Sequence, residues 1–277
     1  MIDKDILNDF IKRSFAEDIG TGDITTLCTV PEGTKISGRF IAKESGIICG
    51  LKIAESVFNY SDSDITFEYN FSDGDMVQKG DIIATLKGDA ASVLTAERLA
   101  LNLMQRLSGI ATNTHEASEE IKGYKAKIAD TRKTTPGLRV FEKYAVKTGG
   151  GSNHRFNLAD GILIKDNHIK SAGSITNAIR AAKTNAPHTL KIEVEVESLE
   201  QLKEALSEGA DIVMLDNMDN GTMKKAVEIT DGKAILEASG NMGEKNLADV
   251  AATGIDIISI GALTHSVKAL DISLKFD

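Results

Sequence analysis

The chain has 277 residues, of which 42% are hydrophobic and 26% charged, and its formal net charge is -9 at pH 7. A chain of this length can bury a large core and suits one large domain or two moderate ones. The net negative charge argues against a general nucleic-acid-binding protein, which presents a broad basic face, but it is compatible with local cationic pockets. No run of about 18 uninterrupted apolar residues occurs, which argues against a membrane span.

The start of the chain and the cysteines both favour a cytoplasmic protein. The first twenty residues are charged throughout and lack the apolar core of a secretion signal. Cys28 and Cys49 lie in different segments without the spacing of a metal site, and nothing in their positions favours a disulfide between them. We therefore expect reduced thiols.

The first third of the chain predicts one helix followed by short strands. Apolar residues from Ile2 to Phe15 recur at spacings of three, four and one, which predicts an amphipathic helix ending near Gly20. Residues 34–88 are glycine-punctuated and partly alternating, as in strands and hairpins, with one helix over LKIAESVFNY. The segment DGDMVQKGDIIATLKG resembles half of a lipoyl or biotinyl carrier domain, but no exposed-lysine hairpin precedes it. We interpret it as a structural β-module.

The remainder of the chain predicts a long helix and then a parallel sheet. Leucines cover more than one face between Ala90 and Ile121, as in a helix buried on two sides, between domains or subunits. After residue 125, six apolar runs (AKIAD, GILIK, LKIEVEV, DIVMLD, AILEAS and DIISIG) alternate with helical stretches. This rhythm favours a closed α/β barrel over an open doubly wound sheet. No dinucleotide-binding glycine motif or P-loop accompanies it, which argues against a dehydrogenase or NTPase.

Cations dominate the ends of the first two predicted barrel strands, where such folds build their active sites. Residues 130–170 contain eight Lys and Arg against four acids. Clustered cations repel one another, so they predict a polyanionic ligand. In the stretch KTGGGSNHR, glycine permits a close approach of the backbone to an anion while His154 and Arg155 point inward. Lys143 and Lys147, on a predicted helix, are expected at a solvated surface.

Acids and small residues dominate the later strand ends. Glu193, Glu195 and Glu197 alternate with valines and so share one face of a strand, where three carboxylates cannot all be buried without compensation. Those near the strand end, with Asp216 on the next strand, are expected to bind Mg²⁺ or sugar hydroxyls. The stretches EASGN and SIGALTH then place small residues before helix N-termini, an arrangement typical of a phosphate site.

The combination of DTRKTTPGLR, GGGSNHR and IKDNH, with EDIGTGDITT, AERLALNLMQRLSGIAT, EVEVE, MLDNM, EASGN and IGALTH, resembles the quinolinate phosphoribosyltransferase family over nearly the whole chain. The resemblance implies an N-terminal α/β sandwich at 1–112, containing the lipoyl-like module, and an incomplete α/β barrel of the seven-stranded type at 113–277. The extreme C-terminus would pack back on the N-terminal domain. It also implies a homodimer in which Arg98 of one subunit reaches the other subunit's site.

The same resemblance implies Mg²⁺-dependent transfer of a phosphoribosyl group from phosphoribosyl pyrophosphate (PRPP) to the ring nitrogen of quinolinate, with decarboxylation, in de novo NAD biosynthesis. Quinolinate would be bound by Arg98, Arg132, His154, Arg155 and Lys165. PRPP would be bound by Lys133, Glu195, Asp216, Ser239, Gly240, Asn241, Gly261 and Ala262. Glu195 and Asp216 would hold Mg²⁺, directly or indirectly, and the catalytic residues would be Lys165, His154, Glu195 and Asp216.

Three alternatives stay open at the level of sequence. A related type II phosphoribosyltransferase would act on nicotinate or another acceptor, although the full set of carboxylate-binding cations favours a dicarboxylate. A Schiff-base aldolase would use Lys165 as its nucleophile, but such lysines usually need an apolar or pKa-lowering pocket. A non-catalytic carrier or anion-binding module would leave the strand-end acids without a purpose.

Overall fold

The computed structural model describes residues 2–277, which divide into two compact units. The first comprises residues up to 115 together with 140–150 and 267–277, and the second comprises 116–139 and 151–266. The segments 140–150 and 267–277 therefore belong to the first unit by packing, although they follow or interrupt the second along the chain.

The elements of the N-terminal half are α1 (Lys4–Ile19), α2 (Ile24–Thr29), β1 (Lys35–Ala42), β2 (Gly46–Ile47), α3 (Leu51–Ser61), β3 (Thr66–Tyr69), β4 (Met76–Val77), β5 (Ile82–Asp89), α4 (Ala90–Glu120), β6 (Lys127–Ala129) and α5 (Arg139–Thr148). Those of the C-terminal half are β7 (Ile162–Ile164), α6 (Asp166–Ala172), α7 (Ile175–Asn185), β8 (Ile192–Val196), α8 (Leu199–Ser207), β9 (Ile212–Asp216), α9 (Asn220–Thr230), β10 (Ile235–Ser239), a 3₁₀ turn (Met242–Glu244), α10 (Leu247–Ala251), β11 (Ile257–Ser259), α11 (Ala262–His265) and β12 (Ile272–Phe276).

The first unit is built on an antiparallel sheet in the order β12-β1-β5-β3. The C-terminal strand β12 pairs with β1, with Leu274 opposite Phe40. The ring of Phe40 packs edge to face on the ring of Phe58 on α3, with 6.0 Å between the ring centroids. Asp3 caps the N-terminus of helix α1, and its side chain accepts from the backbone N–H of Asp5 and Ile6. Residues 272–276 are thus part of this sheet, and Ile272 and Leu274 are buried in its core.

Helices α4 and α5 bury more polar groups than their sequence pattern predicts. The expectation that Lys143 lies at a solvated surface is wrong, since Lys143 is fully buried, whereas Lys147 is exposed as expected. The neighbouring Glu142 is also fully buried and pairs with Arg106 on α4 at 2.6 Å. Among the described residues no helix, including the 31-residue α4, is long and apolar enough to cross a membrane.

The second unit contains a parallel sheet in the order β6-β11-β10-β9-β8-β7, and its six strands are the six predicted apolar runs. An isolated parallel bridge joins Ser152 to Ala129 of β6 and adds a seventh, one-residue position at that edge. Among the described residues, no ladder joins this edge to β7 at the other. The expected α/β fold with an incomplete barrel is confirmed, and the closed alternative is not.

The helices between these strands begin at side-chain caps that the sequence supplies. Ser174 accepts from Asn177 N–H before α7, Ser198 accepts from Gln201 N–H before α8, and Asp219 caps α9 in the same way. Such caps satisfy backbone donors that have no partner within the helix. They fix where each strand-to-helix turn stops, and therefore which residues remain at the carboxyl ends of the strands.

The parallel sheet curves around the interior of the incomplete barrel. Strands β8 and β10 are separated by β9, and adjacent strands lie about 4.8 Å apart. Nevertheless, a carboxylate oxygen of Glu193 on β8 and one of Glu237 on β10 lie within 4.8 Å of each other and of a ring nitrogen of His154. His154 follows Ser152 at the opposite edge of the sheet. These side chains can meet only if the two edges bend toward each other.

Candidate active site

A cavity of about 820 Å³ opens at the carboxyl ends of the parallel strands. Its volume falls within the range of small-molecule sites, about 300–1,000 Å³. Of the thirteen residues expected to form the site, twelve line this one cavity: Arg132, Lys133, His154, Arg155, Lys165, Glu195, Asp216, Ser239, Gly240, Asn241, Gly261 and Ala262. The structure therefore brings them together, while the individual roles expected for them stay predictions.

Arg98, the thirteenth residue, lies on α4 in the first unit. Its side chain is exposed, and it is not among the residues that line the cavity. Its expected role depends on a partner subunit and stays a prediction.

Strand alternation explains which side chains face the cavity. In the sheet, Glu195 on β8 lies opposite Met214 on β9, and Met214 lies opposite Glu237 on β10. One pleat further along, Asp216 lies opposite Ser239. Because side chains two residues apart point to the same face of a strand, these five positions share the inner face of the barrel.

Lys165 is held against Glu195. Its Nζ lies 2.6 Å from Glu195 Oε2, and the side chains are 45% and 14% exposed. The backbone N–H of Lys165 donates to His168 Nδ1 at 3.0 Å, at the turn where β7 passes into α6. The amino group is thus engaged by a carboxylate and does not lie in the apolar surroundings that a Schiff-base lysine needs.

The segment carrying His154 is fixed on a buried aspartate. Asp130, directly after β6, is fully buried. One of its carboxylate oxygens accepts from the backbone N–H of His154 at 2.8 Å, and the other accepts from Asn153 Nδ2 at 2.7 Å. The polar residues that follow the glycines in KTGGGSNHR are therefore a turn anchored at a strand end, and this turn delivers His154 and Arg155 to the cavity.

The geometry also assigns the tautomer of His154. Its Nδ1 lies 2.8 Å from the backbone N of Arg155. A backbone N–H can only donate, so Nδ1 accepts and the ring hydrogen is on Nε2. That nitrogen lies 3.1 Å from Glu193 Oε2 and 3.7 Å from Glu237 Oε2. In this arrangement His154 is a neutral imidazole whose donor is directed at two buried glutamates.

Arg155 lines the cavity and has one buried donor without a partner among the described residues. Its Nη1 donates to the carbonyl oxygen of Gly161 at 2.8 Å, whereas its Nε is buried and has no hydrogen-bond partner among the described residues. Burial lowers the pKa of Arg155, and the positive charge of Arg132 lowers it further. A buried donor without a partner is costly unless a ligand satisfies it, and an anion would also separate the two guanidinium charges.

Arg139 connects the two loops that carry these cations. Its Nε donates to Thr134 Oγ1 at 2.9 Å and its Nη1 donates to the carbonyl oxygen of Phe156, also at 2.9 Å. Thr134 follows Arg132 closely, and Phe156 directly follows Arg155. A single planar guanidinium therefore ties both loops together.

Tight turns close the opposite end of the cavity, after β9 and β10. Asn217 and Asn241 have positive φ angles of 54° and 50°. Gly240, at φ +92°, has no room for a side chain, because a Cβ there would lie 2.2 Å from Asn217 Oδ1. A Cβ on Gly261 would likewise lie 2.9 Å from Lys133 Cδ. The helices expected after these turns are short, a 3₁₀ turn at Met242–Glu244 and the single turn of α11.

Two functional candidates were missed at the level of sequence. His265 lines the cavity at the end of α11. Glu237 also lines it, although it is only 1% exposed. Burial and, to a smaller extent, the neighbouring Glu193 together raise the pKa of Glu237 to about 7. The available signal was a lone charged residue inside the apolar strand ILEAS, two positions before Ser239 and therefore on the same face.

Two groups of carboxylate side chains lie close enough together to be considered as metal sites. Glu195 and Asp216 share the inner face of adjacent strands and line the cavity, and hard oxygen ligands of this kind suit Mg²⁺. His154, Glu193 and Glu237 offer ligand atoms within 4.8 Å of one another. However, the ring nitrogen that faces the two glutamates carries the hydrogen, so this second grouping is a hydrogen-bonded cluster.

Comparisons with known proteins identify the family of this chain. Family models for the N-terminal and C-terminal domains of quinolinate phosphoribosyl transferase match residues 23–108 and 110–275. A probable nicotinate-nucleotide pyrophosphorylase (carboxylating) of Bacillus subtilis (strain 168) is 48% identical over 271 residues, covering 98% of this chain and 92% of that protein. The corresponding Mycobacterium leprae protein is 45% identical over 278 residues, covering 98% and 97%.

Solved structures give the same result. The nicotinate-nucleotide pyrophosphorylase from Francisella tularensis superposes with a TM-score of 0.95 at 44% identity, covering 100% of this chain and 98% of that one. The two family models together, the relatives and this superposition each cover most or all of the chain. The chain accordingly belongs to the quinolinate phosphoribosyltransferase family.

Proposed function

We propose that this protein transfers the phosphoribosyl group of PRPP to the ring nitrogen of quinolinate and releases CO₂, giving nicotinate mononucleotide and pyrophosphate. The observation that carries the proposal is the unpaired, buried Nε of Arg155 beside Arg132, in a cavity that also contains Lys165. This set of donors suits an acceptor with two carboxylates. The carboxylating name of the relatives describes the same chemistry for those proteins.

The charges support a dicarboxylate at this end of the cavity. Two opposite charges about 4 Å apart attract by about 4 kcal/mol at an effective dielectric of about 20, before desolvation. Quinolinate brings two adjacent carboxylates, which repel each other in isolation. Guanidinium groups at Arg132 and Arg155 can each bind a carboxylate through two parallel hydrogen bonds. The acceptor would thus neutralise cations that otherwise repel one another.

The opposite end suits the phosphoribosyl donor. The turn at Gly240 brings the backbone close to Asn217 and leaves no side chain in the way, as binding of a 5′-phosphate requires. The carbonyl oxygen of Lys133 accepts a hydrogen bond from Thr264 Oγ1 at 2.9 Å. Its side chain lies close to Gly261 and would bind the pyrophosphate. Glu195 and Asp216 would bind the ribose hydroxyls between the two ends.

Mg²⁺ is part of the proposal, with Glu195 and Asp216 as the residues that would hold it. When bound, the ion would neutralise charge on the departing pyrophosphate. The chain's own residues do the remaining work, which is to hold the ring nitrogen in line with C1 of the ribose and to surround both anions with preorganised donors.

The reaction has two steps, transfer of the phosphoribosyl group and then decarboxylation. The bond from C1 to the pyrophosphate oxygen breaks with its electron pair on oxygen, and the lone pair of the ring nitrogen forms the bond to C1. The alkylated nitrogen is then cationic, so the adjacent C–CO₂ bond can break with its electron pair on the ring carbon, which takes up a proton. Because the one N–H of His154 is directed at Glu193 and Glu237, we assign this proton to the ammonium group of Lys165.

The proposal extends to assembly and location. We propose a homodimer in which the exposed Arg98 of one subunit binds quinolinate in the site of the other, as the family resemblance implies. The cytoplasmic location expected from the sequence stays a prediction.

Two other functions are testable alongside. A nicotinate-specific enzyme would need fewer cations than the cavity supplies. An aldolase would need a free amine at Lys165, which here pairs with Glu195. Incubation with PRPP, Mg²⁺ and either quinolinate or nicotinate, with formation of nucleotide and release of CO₂ followed, distinguishes the proposed enzyme from a nicotinate-specific one. Mononucleotide and CO₂ from quinolinate alone would support the proposal; turnover of nicotinate alone, or of neither, would refute it.

A further inference from the structure

Two buried carboxyl groups lie close together beside the cavity, and one of them, Glu237, lines it. Glu193 is 5% exposed and Glu237 is 1% exposed. Both face Nε2 of His154, at 3.1 Å and 3.7 Å. The other oxygen of Glu237, Oε1, is buried and has no hydrogen-bond partner among the described residues.

Glu193 and Glu237 cannot both be ionised here without a large cost in free energy. Two carboxylates at this separation repel strongly in a buried site, and His154 is neutral in the observed hydrogen-bonding pattern. The groups that face Glu237 from the packed elements are Glu193, which favours its protonated form, and His154, Lys165 and Ser259, which oppose it. Burial outweighs that opposition and raises the pKa of Glu237 to about 7.

The charge of Glu237 decides whether positive or negative side chains are in excess around the cavity. Four cations line it, Arg132, Lys133, Arg155 and Lys165, and four carboxyl groups line it as well, Glu195, Asp216, Glu237 and Glu244. If Glu237 is ionised, the two sets are equal. If it is uncharged, the cations exceed the anions by one, which matters for a ligand that brings two negative charges.

We propose that Glu237 is a specificity-determining residue: as an uncharged carboxylic acid, buried beside Glu193 and His154, it leaves the cavity cationic enough for a dicarboxylate acceptor. This inference rests on the proposed function. Ionisation of Glu237 then weakens dicarboxylate binding more than monocarboxylate binding, because the added repulsion scales with the charge of the ligand.

The test measures binding apart from turnover. The intact protein and the variants Glu237→Gln and Glu237→Ala are titrated calorimetrically with benzene-1,2-dicarboxylate, an unreactive dicarboxylate, and with benzoate, between about pH 6.5 and pH 8.5. Glu228→Gln, an exposed glutamate on α9, controls for the chemical change. Thermal melting checks that each variant is folded.

The dissociation constant of the dicarboxylate is expected to rise about tenfold over this range in the intact protein and in Glu228→Gln. In Glu237→Gln, an uncharged isostere, it should stay near the low-pH value, within about threefold at every pH. Benzoate should change by less than the dicarboxylate. In Glu237→Ala, which also lacks the titrating carboxyl group, the dissociation constant should likewise lose its pH dependence.

A Glu237→Gln protein with the same pH dependence as the intact protein would overturn the proposal, and so would an intact protein whose dicarboxylate affinity does not change with pH. Nitrogen-correlated NMR of the His154 ring adds an independent readout: hydrogen on Nε2 is expected in the intact protein and in Glu237→Gln, and hydrogen on Nδ1 would contradict the geometry. If the proposed function is wrong, the intact protein will not turn over quinolinate, whatever the binding measurements give. The two failures are therefore distinguishable.

Discussion

Glu193 and Glu237 lie on strands that are not neighbours, yet a carboxylate oxygen of each lies within 4.8 Å of the other and of the His154 ring. The contact is a consequence of the curled sheet, which converts separate positions on β8 and β10 into one buried cluster. It also makes the stability of the fold sensitive to pH, since at least one of the two groups must give up its charge on burial.

Glu237→Gln should stabilise the protein above neutral pH. The pKa of Glu237 is raised to about 7 in the folded state from 4.5, so its contribution to stability is fully present below about pH 4.5 and is lost as pH rises through about 7. The free energy of unfolding of the variant should exceed that of the intact protein by about 1–3 kcal/mol near pH 8. Urea denaturation at two pH values measures this. An equal difference at pH 5 and pH 8 would argue against titration of Glu237.

Lys165→Ala should reduce the decarboxylating turnover about 100-fold or more, because it removes the proposed proton donor and leaves Glu195 without its cation at 2.6 Å. Lys170→Ala is the matched control, since Lys170 forms an exposed ion pair with Asp166 on α6 and should behave as the intact protein. CO₂ release in a single turnover separates chemistry from binding. A normal rate of CO₂ release would remove Lys165 from this role.

Arg139→Ala should raise KM for quinolinate about tenfold with a smaller change in kcat, because Arg139 joins the loops of Thr134 and Phe156 and does not itself line the cavity. Arg180→Ala, which breaks an exposed ion pair with Glu208, controls for the loss of an arginine. Unchanged KM in Arg139→Ala would show that the loops keep their positions without it.

Gly240→Ala should abolish PRPP binding and destabilise the protein by about 1–3 kcal/mol, because its Cβ would lie 2.2 Å from Asn217 Oδ1. Gly232→Ala provides a matched control: Gly232 also has a positive φ, 73°, but a Cβ there meets nothing within 4 Å. Both substitutions carry the cost of the left-handed backbone, and only the first adds the clash. Similar PRPP affinities in the two variants would contradict this interpretation.

A mixture of Arg98→Ala and Lys165→Ala subunits should regain activity if the proposed dimer shares its sites. In a mixed dimer, one site combines the intact Lys165 of one subunit with the intact Arg98 of the other. Equal random mixing should restore about a quarter of the activity of the intact protein. Each variant alone should be inactive. Failure to regain activity, with subunit exchange verified by mass spectrometry, would refute sharing of Arg98.

The barrel strands and most of the site were predictable from the chain alone. Strands of a parallel sheet end at one edge, so residues that follow the apolar runs, such as Lys165 and Asp216, were bound to converge there. The alternation of glutamates and valines in IEVEV likewise predicted a shared face, although it did not reveal that Glu193 would be buried and Glu195 only partly so.

Other features followed no local pattern. Helical periodicity placed Lys143 on a polar face, but it could not reveal that the side chain is fully buried. The segment 140–150 groups with the first unit although its neighbours in sequence belong to the second, since a boundary in sequence need not be a boundary in packing.

The amino-acid order thus determined the strands, the caps that end their turns and the chemical types gathered at the carboxyl edge, because those depend on periodicity and on neighbours along the chain. The meeting of Glu237, Glu193 and His154, the tautomer of that histidine and the altered pKa of Glu237 depend on how far the sheet curls and on which groups lose contact with water. These are long-range properties, and the tertiary structure alone decided them.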